Sequence, residues 1–190
     1  MNTLDVLVIG HLERDARGNL RNVYSTATLI RAPHHNIIVD TSTISRRPVL
    51  EASLKLIGVY LDTVDIVVLT HAHSDHTGNL WMFPKAKILL HDGELPIPGA
   101  TYIDRDQEIV PGVRLVHTPG HTPGSMSVFV EGDQRYVIAG DAVPLQDNLA
   151  KMIPPALNCN PQAALESLQQ IAAWADFVVP GHGAPFAVPR

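Results

Sequence analysis

The sequence predicts an α/β fold, and three observations carry that prediction. Short apolar runs rich in β-branched residues recur through the 190 residues, two segments show helical apolar periodicity behind clear start signals, and the two kinds interleave. No linker, repeat or low-complexity stretch separates them, which fits one domain over residues 1–190.

Leu4 to Gly10, Tyr24 to Arg31 and Asn36 to Val39 read as the first strands, with His34 and His35 on a solvated hairpin between the last two. A helix should begin near Pro48, because the first turn tolerates a residue without an N–H, and Leu50, Leu54 and Ile57 then share one face. Asp65 to Thr70 is an unbroken apolar run, as expected of a strand over Ile66 to Leu69 that is buried on both faces. Lys87 to Leu90, Val113 to His117, Ser125 to Val130 and Tyr136 to Ala139 read as further strands. Asn160-Pro161 supplies a cap followed by a first-turn proline, so a second helix should start there with Leu165, Leu168, Ile171 and Ala172 facing inward. Phe177 to Pro180 is a last strand-like run.

Composition narrows the function classes. At 45% hydrophobic residues and a net charge of −5, the chain can build one sizeable core. A single cysteine, Cys159, excludes an intramolecular disulfide framework, and its expected state is a small loop or buried thiol. Met1 to His11 has no basic start, Asp5 interrupts its apolar stretch, and no run approaches membrane-spanning length. The expectation is a soluble cytoplasmic protein with no membrane partner. The acidic balance and only four lysines disfavour nucleic acid as a partner, although Arg14, Arg17, Arg21, Arg31, Arg46 and Arg47 tilt the first quarter basic and keep that option open. Oligomeric state is open, a homodimer being one option.

The chemistry concentrates in Thr70-His71-Ala72-His73-Ser74-Asp75-His76, directly after the buried strand run. At strand period His71 and His73 point the same way, so two imidazoles can converge on one ion. Asp75 and His76 fall where the chain should turn, and could reach a second ion about 3.5–4 Å from the first. Three more candidates follow later strand-like runs. His121 lies between two Pro-Gly pairs, Asp141 follows Arg135 to Gly140, and His182 sits between Gly181 and Gly183.

In this order, His71, His73, Asp75, His76, His121, Asp141 and His182 resemble the metal-ligand pattern of the metallo-β-lactamase superfamily of binuclear hydrolases, over nearly the whole chain. The runs Gly78-Asn79-Leu80, Phe83-Pro84, Ala139-Gly140-Asp141 and Val178 to Phe186 look most like a single-domain member. The resemblance implies a four-layer αββα sandwich, two mixed β-sheets flanked by helices. It implies His71, His73 and His121 on one metal, Asp75, His76 and His182 on a second, and Asp141 bridging them. The implied cofactors are two divalent ions, zinc first, with iron or manganese as alternatives. Dedicated zinc β-lactamases of the commonest type carry cysteine at the position of Asp141, so the aspartate here argues against that activity. Asp40, in Asp40-Thr41-Ser42, matches a family aspartate that orients a ligand histidine, while Ser42 stands where the family pattern has glycine.

The activity so implied is metal-dependent hydrolysis of a small-molecule ester, lactone, thioester or phosphoester. Bound water would ionise near pH 7 instead of about 15.7, and Asp75 is the catalytic candidate for orienting it and passing its proton to the leaving group. Thioester specificity lacks support, since no helical substrate domain follows His182. Two alternatives stand beside this reading: a ribonuclease or phosphodiesterase of the same fold, and a mononuclear iron sulfur dioxygenase using only the first metal position. A non-catalytic metal scaffold fits the full ligand set poorly. His117, four residues before His121, is expected to be structural or to support a ligand from behind, and His91, which ends a strand near the turn signal Asp92-Gly93, to take no part in the site. His11 opens a loop, Glu13 to Arg21, whose arginines could face an anionic substrate; this flap and the connection Ala142 to Asn160 should line the substrate side.

Overall fold

Strands that bury one side chain inward and the next outward must be covered on both faces, and the computed structural model, which describes residues 1–189, meets that demand with two six-stranded sheets. In chain order the first half holds β1 (Thr3–Val8), β2 (His11–Arg14), β3 (Leu20–Tyr24), β4 (Ala27–Ala32), β5 (His35–Val39), α1 (Arg47–Leu56), β6 (Ile66–Val68), α2 (Ser74–Thr77) and β7 (Lys87–His91). The second half holds β8 (Ala100–Ile103), β9 (Gln107–Val110), β10 (Val113–His117), β11 (Met126–Glu131), β12 (Arg135–Gly140), α3 (Gln146–Ala150), α4 (Pro161–Trp174), β13 (Phe177–Pro180) and β14 (Phe186–Ala187). One sheet runs β1-β4-β5-β6-β7-β8 and the other β14-β13-β12-β11-β10-β9, while β2 and β3 form a separate ribbon.

Side-chain alternation assigns the layers. Ile37 and Val39 of β5, Val113 and Leu115 of β10, and Val128 and Val130 of β11 fill the core between the sheets. Their neighbours turn away: Ile38 packs with Leu50 and Leu54 of α1, and Phe129 and Val137 pack with Leu168 and Ile171 of α4. The layers are therefore helix, sheet, sheet, helix. Each fully buried aliphatic side chain contributes about 1.5–3 kcal/mol, so both sheets are firmly held and the loops at their edges inherit that rigidity.

Strand direction explains where the loops meet. β5, β6 and β7 are mutually parallel, and β10 and β12, each antiparallel to β11, run the same way as β13. Segments after β5, β6, β10, β12 and β13 thus all leave carboxyl ends. The amide of Met126 donates to Thr70 O at 2.9 Å, which ties the two sheets together at this edge. Both helix starts obey their signals: Pro48 lies in the first turn of α1, and Asn160 Oδ1 accepts the amides of Gln162 and Ala163 at 3.1 Å each, a cap that contributes about 1 kcal/mol.

Several expectations are corrected. The run Tyr24 to Arg31 breaks at Ser25 and Thr26, whose amides leave the ladder to bind Asp75 O and Gly181 O at 3.2 and 2.7 Å. The flap is a paired ribbon with an ordered turn. Strands β8, β9 and β14 and helices α2 and α3 were not expected, because they are short and carry little apolar period. Leu165 and Ile57 are half-buried, and Ala164 and Ser167 take the inner positions on α4. No helix among the described residues is long and apolar enough to cross a membrane.

Candidate metal centre

Loops from both sheets bring all seven candidate residues together. β6 ends at Val68, and His73 then starts the single turn of α2, so His71 and His73 precede a helix and Asp75 and His76 lie within it. Gly140, the last residue of β12, has φ +49° and lies so close to the Thr70 side chain that a Cβ would overlap it, which brings Asp141 to the edge of the site. Gly181 is required beside it, since a Cβ there would overlap Asp141 Oδ1. The His121 loop is held by α4: Gly120 O accepts the Cys159 and Asn160 amides, and Ser167 Oγ donates to Pro119 O at 2.8 Å.

Three sets of side chains present ligand atoms within 4.8 Å of one another: His71, His73 and His121; His71, His76 and Asp141; and Asp75, His76 and His182. His71 Nε2 and His121 Nε2 lie 2.9 and 3.0 Å from His73 Nδ1. Asp141 faces both groups. Its Oδ2 is 3.5 Å from His121 Nε2, and its Oδ1 is 3.4 and 3.2 Å from the Nε2 atoms of His76 and His182. Asp75 Oδ2 is 3.6 Å from His182 Nε2.

The outward bonds of each imidazole fix its tautomer. His121 Nδ1 donates to Leu157 O at 2.7 Å, His182 Nδ1 to Tyr24 O at 2.9 Å, and His76 Nδ1 to the Asp40 carboxylate at 2.7 Å. Thr70 Oγ1 gives its hydrogen to Asp40 at 2.8 Å and so accepts from His71 Nδ1 at 3.1 Å. Every one of these rings then turns an Nε2 lone pair inward. The proton of a neutral His73 can satisfy only one of the two lone pairs opposite it. His76 Nε2 and Asp141 Oδ1 are buried without a hydrogen-bond partner, close in distance but poorly aligned. Converging lone pairs and an orphaned carboxylate oxygen are what a pair of cations would satisfy, so the donor set fits divalent metal.

Charge states tell the same story. Burial and the His76 charge push His71 well below the usual histidine range, and burial with its histidine neighbours lowers His73. Burial opposes ionisation of His76, yet the Asp40 and Asp141 carboxylates hold it well above that range. Burial likewise opposes the Asp141 carboxylate, which His76 and His182 keep well below the usual range, and Asp141 in turn raises His182. Without metal, protons take over part of the role of the cations.

Asp40 falls where expected, behind the ligand set, accepting Thr70 N, Thr70 Oγ1 and His76 Nδ1 at 2.7–2.8 Å. Ser42 does make the turn, at φ +57°, with Oγ donating to Ser25 O at 2.8 Å. His117 lies outside the converging set, stacked on His91 at 4.1 Å and donating from Nε2 to Pro123 O at 2.8 Å. His34 is exposed on its turn, and His11 packs against Tyr24 at 5.7 Å. Cys159 is an exposed loop thiol. Sequence reasoning missed Glu94, Thr70 Oγ1 and the carbonyls of Tyr24 and Leu157; only Glu94, beside the turn signal Asp92-Gly93, left any trace in the sequence.

A cleft of about 370 Å3 opens over the cluster, lined by Leu12, Leu20, Val23 and Leu157 beside His73, Asp75, His121, Asp141 and His182. The flap therefore does form one wall. Of the apolar residues Leu145, Leu149, Met152, Ile153 and Leu157 in the connection, only Leu157 lines this cleft; Leu149 belongs to the core under α4. Two of the three flap arginines bond within the flap. Arg21 is held by Asp15 at 2.7 Å, and Arg14 donates to Gly18 O at 2.9 Å.

Comparison with known proteins agrees with this geometry. A family model described as the metallo-beta-lactamase superfamily matches residues 20–97 and 92–182. A protein of Methanocaldococcus jannaschii named a probable metallo-hydrolase is 37% identical over 150 residues, 77% of this chain and 70% of that one. Metallo-beta-lactamase domain-containing protein 1 of Xenopus laevis is 33% identical over 201 residues, 98% of this chain and 82% of that one. The N-acyl homoserine lactonase AiiA of Bacillus thuringiensis subsp. kurstaki is 32% identical over 135 residues, 62% of this chain and 54% of that one. A crystal structure of a B. thuringiensis AiiA variant, with N-decanoyl-L-homoserine bound at its active site, superposes with a TM-score of 0.77 at 23% identity, covering 94% of this chain and 92% of that one.

Proposed function

The chain belongs to the metallo-β-lactamase superfamily and is a metal-dependent hydrolase, and from that premise we propose that it cleaves small uncharged esters or lactones at a binuclear centre. In this reading His71, His73 and His121 hold one ion, Asp75, His76 and His182 the other, and Asp141 spans both. The observation that carries it is the inward turn of the imidazole lone pairs onto two adjoining sets, with the Asp141 carboxylate facing histidines of both. Zinc suits a set rich in imidazole, with iron and manganese as alternatives. When bound, such ions supply ionised water near neutral pH and a Lewis acid for the developing oxyanion.

The chain's own groups do the rest. Asp40 and the carbonyls of Tyr24 and Leu157 keep His76, His182 and His121 in the tautomer that leaves Nε2 free. Asp75, buried less deeply than Asp141 and facing the cleft, is placed to accept a proton at its carboxylate from the attacking water and deliver it to the leaving oxygen. Leu12, Leu20, Val23 and Leu157 exclude water and offer an apolar surface to an acyl group. Arg21, the one cation lining this cleft, is paired with Asp15, which favours an uncharged substrate over a phosphodiester or RNA, although Arg14 lines the adjoining pocket beside His121 and Asp141. The named activity of the B. thuringiensis relative supports lactones as first candidates. The presence of Asp75, His76 and His182 beside the first set argues for two ions over the one-metal dioxygenase alternative.

The test is a panel of N-acyl lactones, aryl esters, thioesters, phosphodiesters and single-stranded RNA offered to zinc-loaded protein. The reading expects kcat/KM to be highest for a lactone or ester. Faster cleavage of RNA, abolished by neutralising Arg14, Arg17 and Arg21, would overturn it.

A further inference from the structure

Glu94 sits in the turn after β7, which ends at His91, and it is half-buried. Its carboxylate makes two bonds, each to a different ligand loop. Oε2 accepts the amide of Ala72, the residue between His71 and His73, at 3.0 Å. Oε1 accepts the hydroxyl of Thr122, the residue after His121. Thr122 Oγ1 in turn accepts from Ser125 Oγ at 2.6 Å, and Ser125 Oγ also takes the Thr122 amide at 3.1 Å. The turn is seated tightly. The Glu94 amide donates to His91 O at 3.1 Å, and a Cβ on Gly124 would come within 2.7 Å of Glu94 N and 2.8 Å of its Cγ.

His71 and His73 come from one sheet and His121 from the other, so their spacing depends on how the two loops sit against each other. We propose that Glu94 is a positioning residue that braces these loops and sets the geometry of the His71, His73 and His121 ligand set. This rests on the proposed metal centre and adds to it an asymmetry. Asp75, His76 and His182 are held by Asp40, Tyr24 O and α2 and have no bond to Glu94, so the second set should be indifferent to its loss. A carboxylate suits the task because it only accepts, and both partners donate.

The experiment uses the full chain with free zinc set by a chelator buffer. Long-range 1H–15N spectra of the imidazoles report the zinc level at which each ring becomes coordinated. In Glu94→Ala, half-saturation of the His73 and His121 rings should need about 10–100-fold more free zinc, with the His76 and His182 rings moving by less than about threefold. Glu94→Gln, whose amide can accept from Ala72 and donate to Thr122 Oγ1, should restore most of the loss. Thr122→Val removes the hydroxyl that bonds Glu94 and Ser125 in an isosteric side chain, leaves the Glu94 bond to Ala72, and should give a smaller shift confined to the same rings, which keeps the test available if Glu94→Ala does not fold. Equal shifts of both ring sets, or none, would overturn the bracing role. Wild-type rings that never respond to zinc would instead remove the metal centre on which it rests.

Discussion

Replacing Asp40 by asparagine keeps the side chain's shape, removes its charge and should weaken the centre from behind. One oxygen accepts the Thr70 amide, and the other accepts both Thr70 Oγ1 and His76 Nδ1, so three donors converge on a residue only 2% exposed. An amide can match one of these positions and must turn its NH2 toward a donor at the other. With the NH2 facing His76, that ring is driven to carry its hydrogen on Nε2, where a metal needs the lone pair. One lost charge-assisted bond is worth about 1.5–3 kcal/mol, and loss of a ligand's orienting partner typically lowers metal affinity about 10–100-fold. Zinc titration against a competing chelator should show a loss of that size. The metal-free protein gives a second reading. Burial opposes the imidazolium of His76, yet Asp40 and Asp141 hold its pKa well above the usual value. A raised histidine pKa stabilises the fold fully below the unfolded-state value of about 6.5 and loses that contribution as pH rises through the folded value. Asp40→Asn should therefore destabilise the metal-free fold most near about pH 5.5 and progressively less as the solution becomes alkaline, read by urea unfolding. A penalty that grows with pH, or zinc affinity within about twofold of wild type, would refute the reasoning.

Other substitutions probe neighbouring parts of the account. Gly181→Ala places a Cβ against Asp141 Oδ1 and 2.9 Å from Gly140 O, so it should displace the carboxylate and lower metal content at both sets while far-UV circular dichroism stays native. Ser42→Ala keeps the left-handed backbone and loses the bond to Ser25 O, and should cost about 1–3 kcal/mol. Ser42→Gly loses the same bond but relieves about 1 kcal/mol of strain, so it should be the more stable of the two on chemical denaturation. His117→Ala, which removes a stacking partner of His91 but no member of the converging set, should leave zinc content near that of wild type, whereas Asp141→Ala should lower it sharply.

The residues that carry chemistry were the most legible part of the chain. His71, His73, Asp75 and His76 are packed into one segment after a buried strand, the later three each follow an apolar run, and the resemblance to the superfamily joined them into one ligand set. The core strands were legible for a related reason: two covered faces demand nearly continuous apolar runs such as Ile37 to Val39 and Val128 to Val130. Polar short elements were not. The β2 and β3 ribbon is mostly exposed, so nothing apolar repeats along it, and its turn is organised by Asp15 accepting from Arg17, Asn19 and Arg21. The supports of the imidazoles were hidden because two of them are backbone carbonyls, which any residue supplies. Glu94 was hidden because its partners, Ala72 and Thr122, are 22 and 28 residues away. At Ser42 the family pattern points to glycine, and the chain instead holds a serine at positive φ with a buried hydrogen bond.

Two divalent ions per chain, spanned by Asp141, is the claim on which the rest depends. Metal analysis of protein saturated with zinc or manganese, combined with anomalous diffraction from crystals of the loaded protein, tests it most directly. The account predicts two ions per chain, one within reach of His71, His73 and His121 and the other of Asp75, His76 and His182, with the Asp141 carboxylate between them. A single ion per chain at saturation, or two ions with Asp141 turned away, would contradict it.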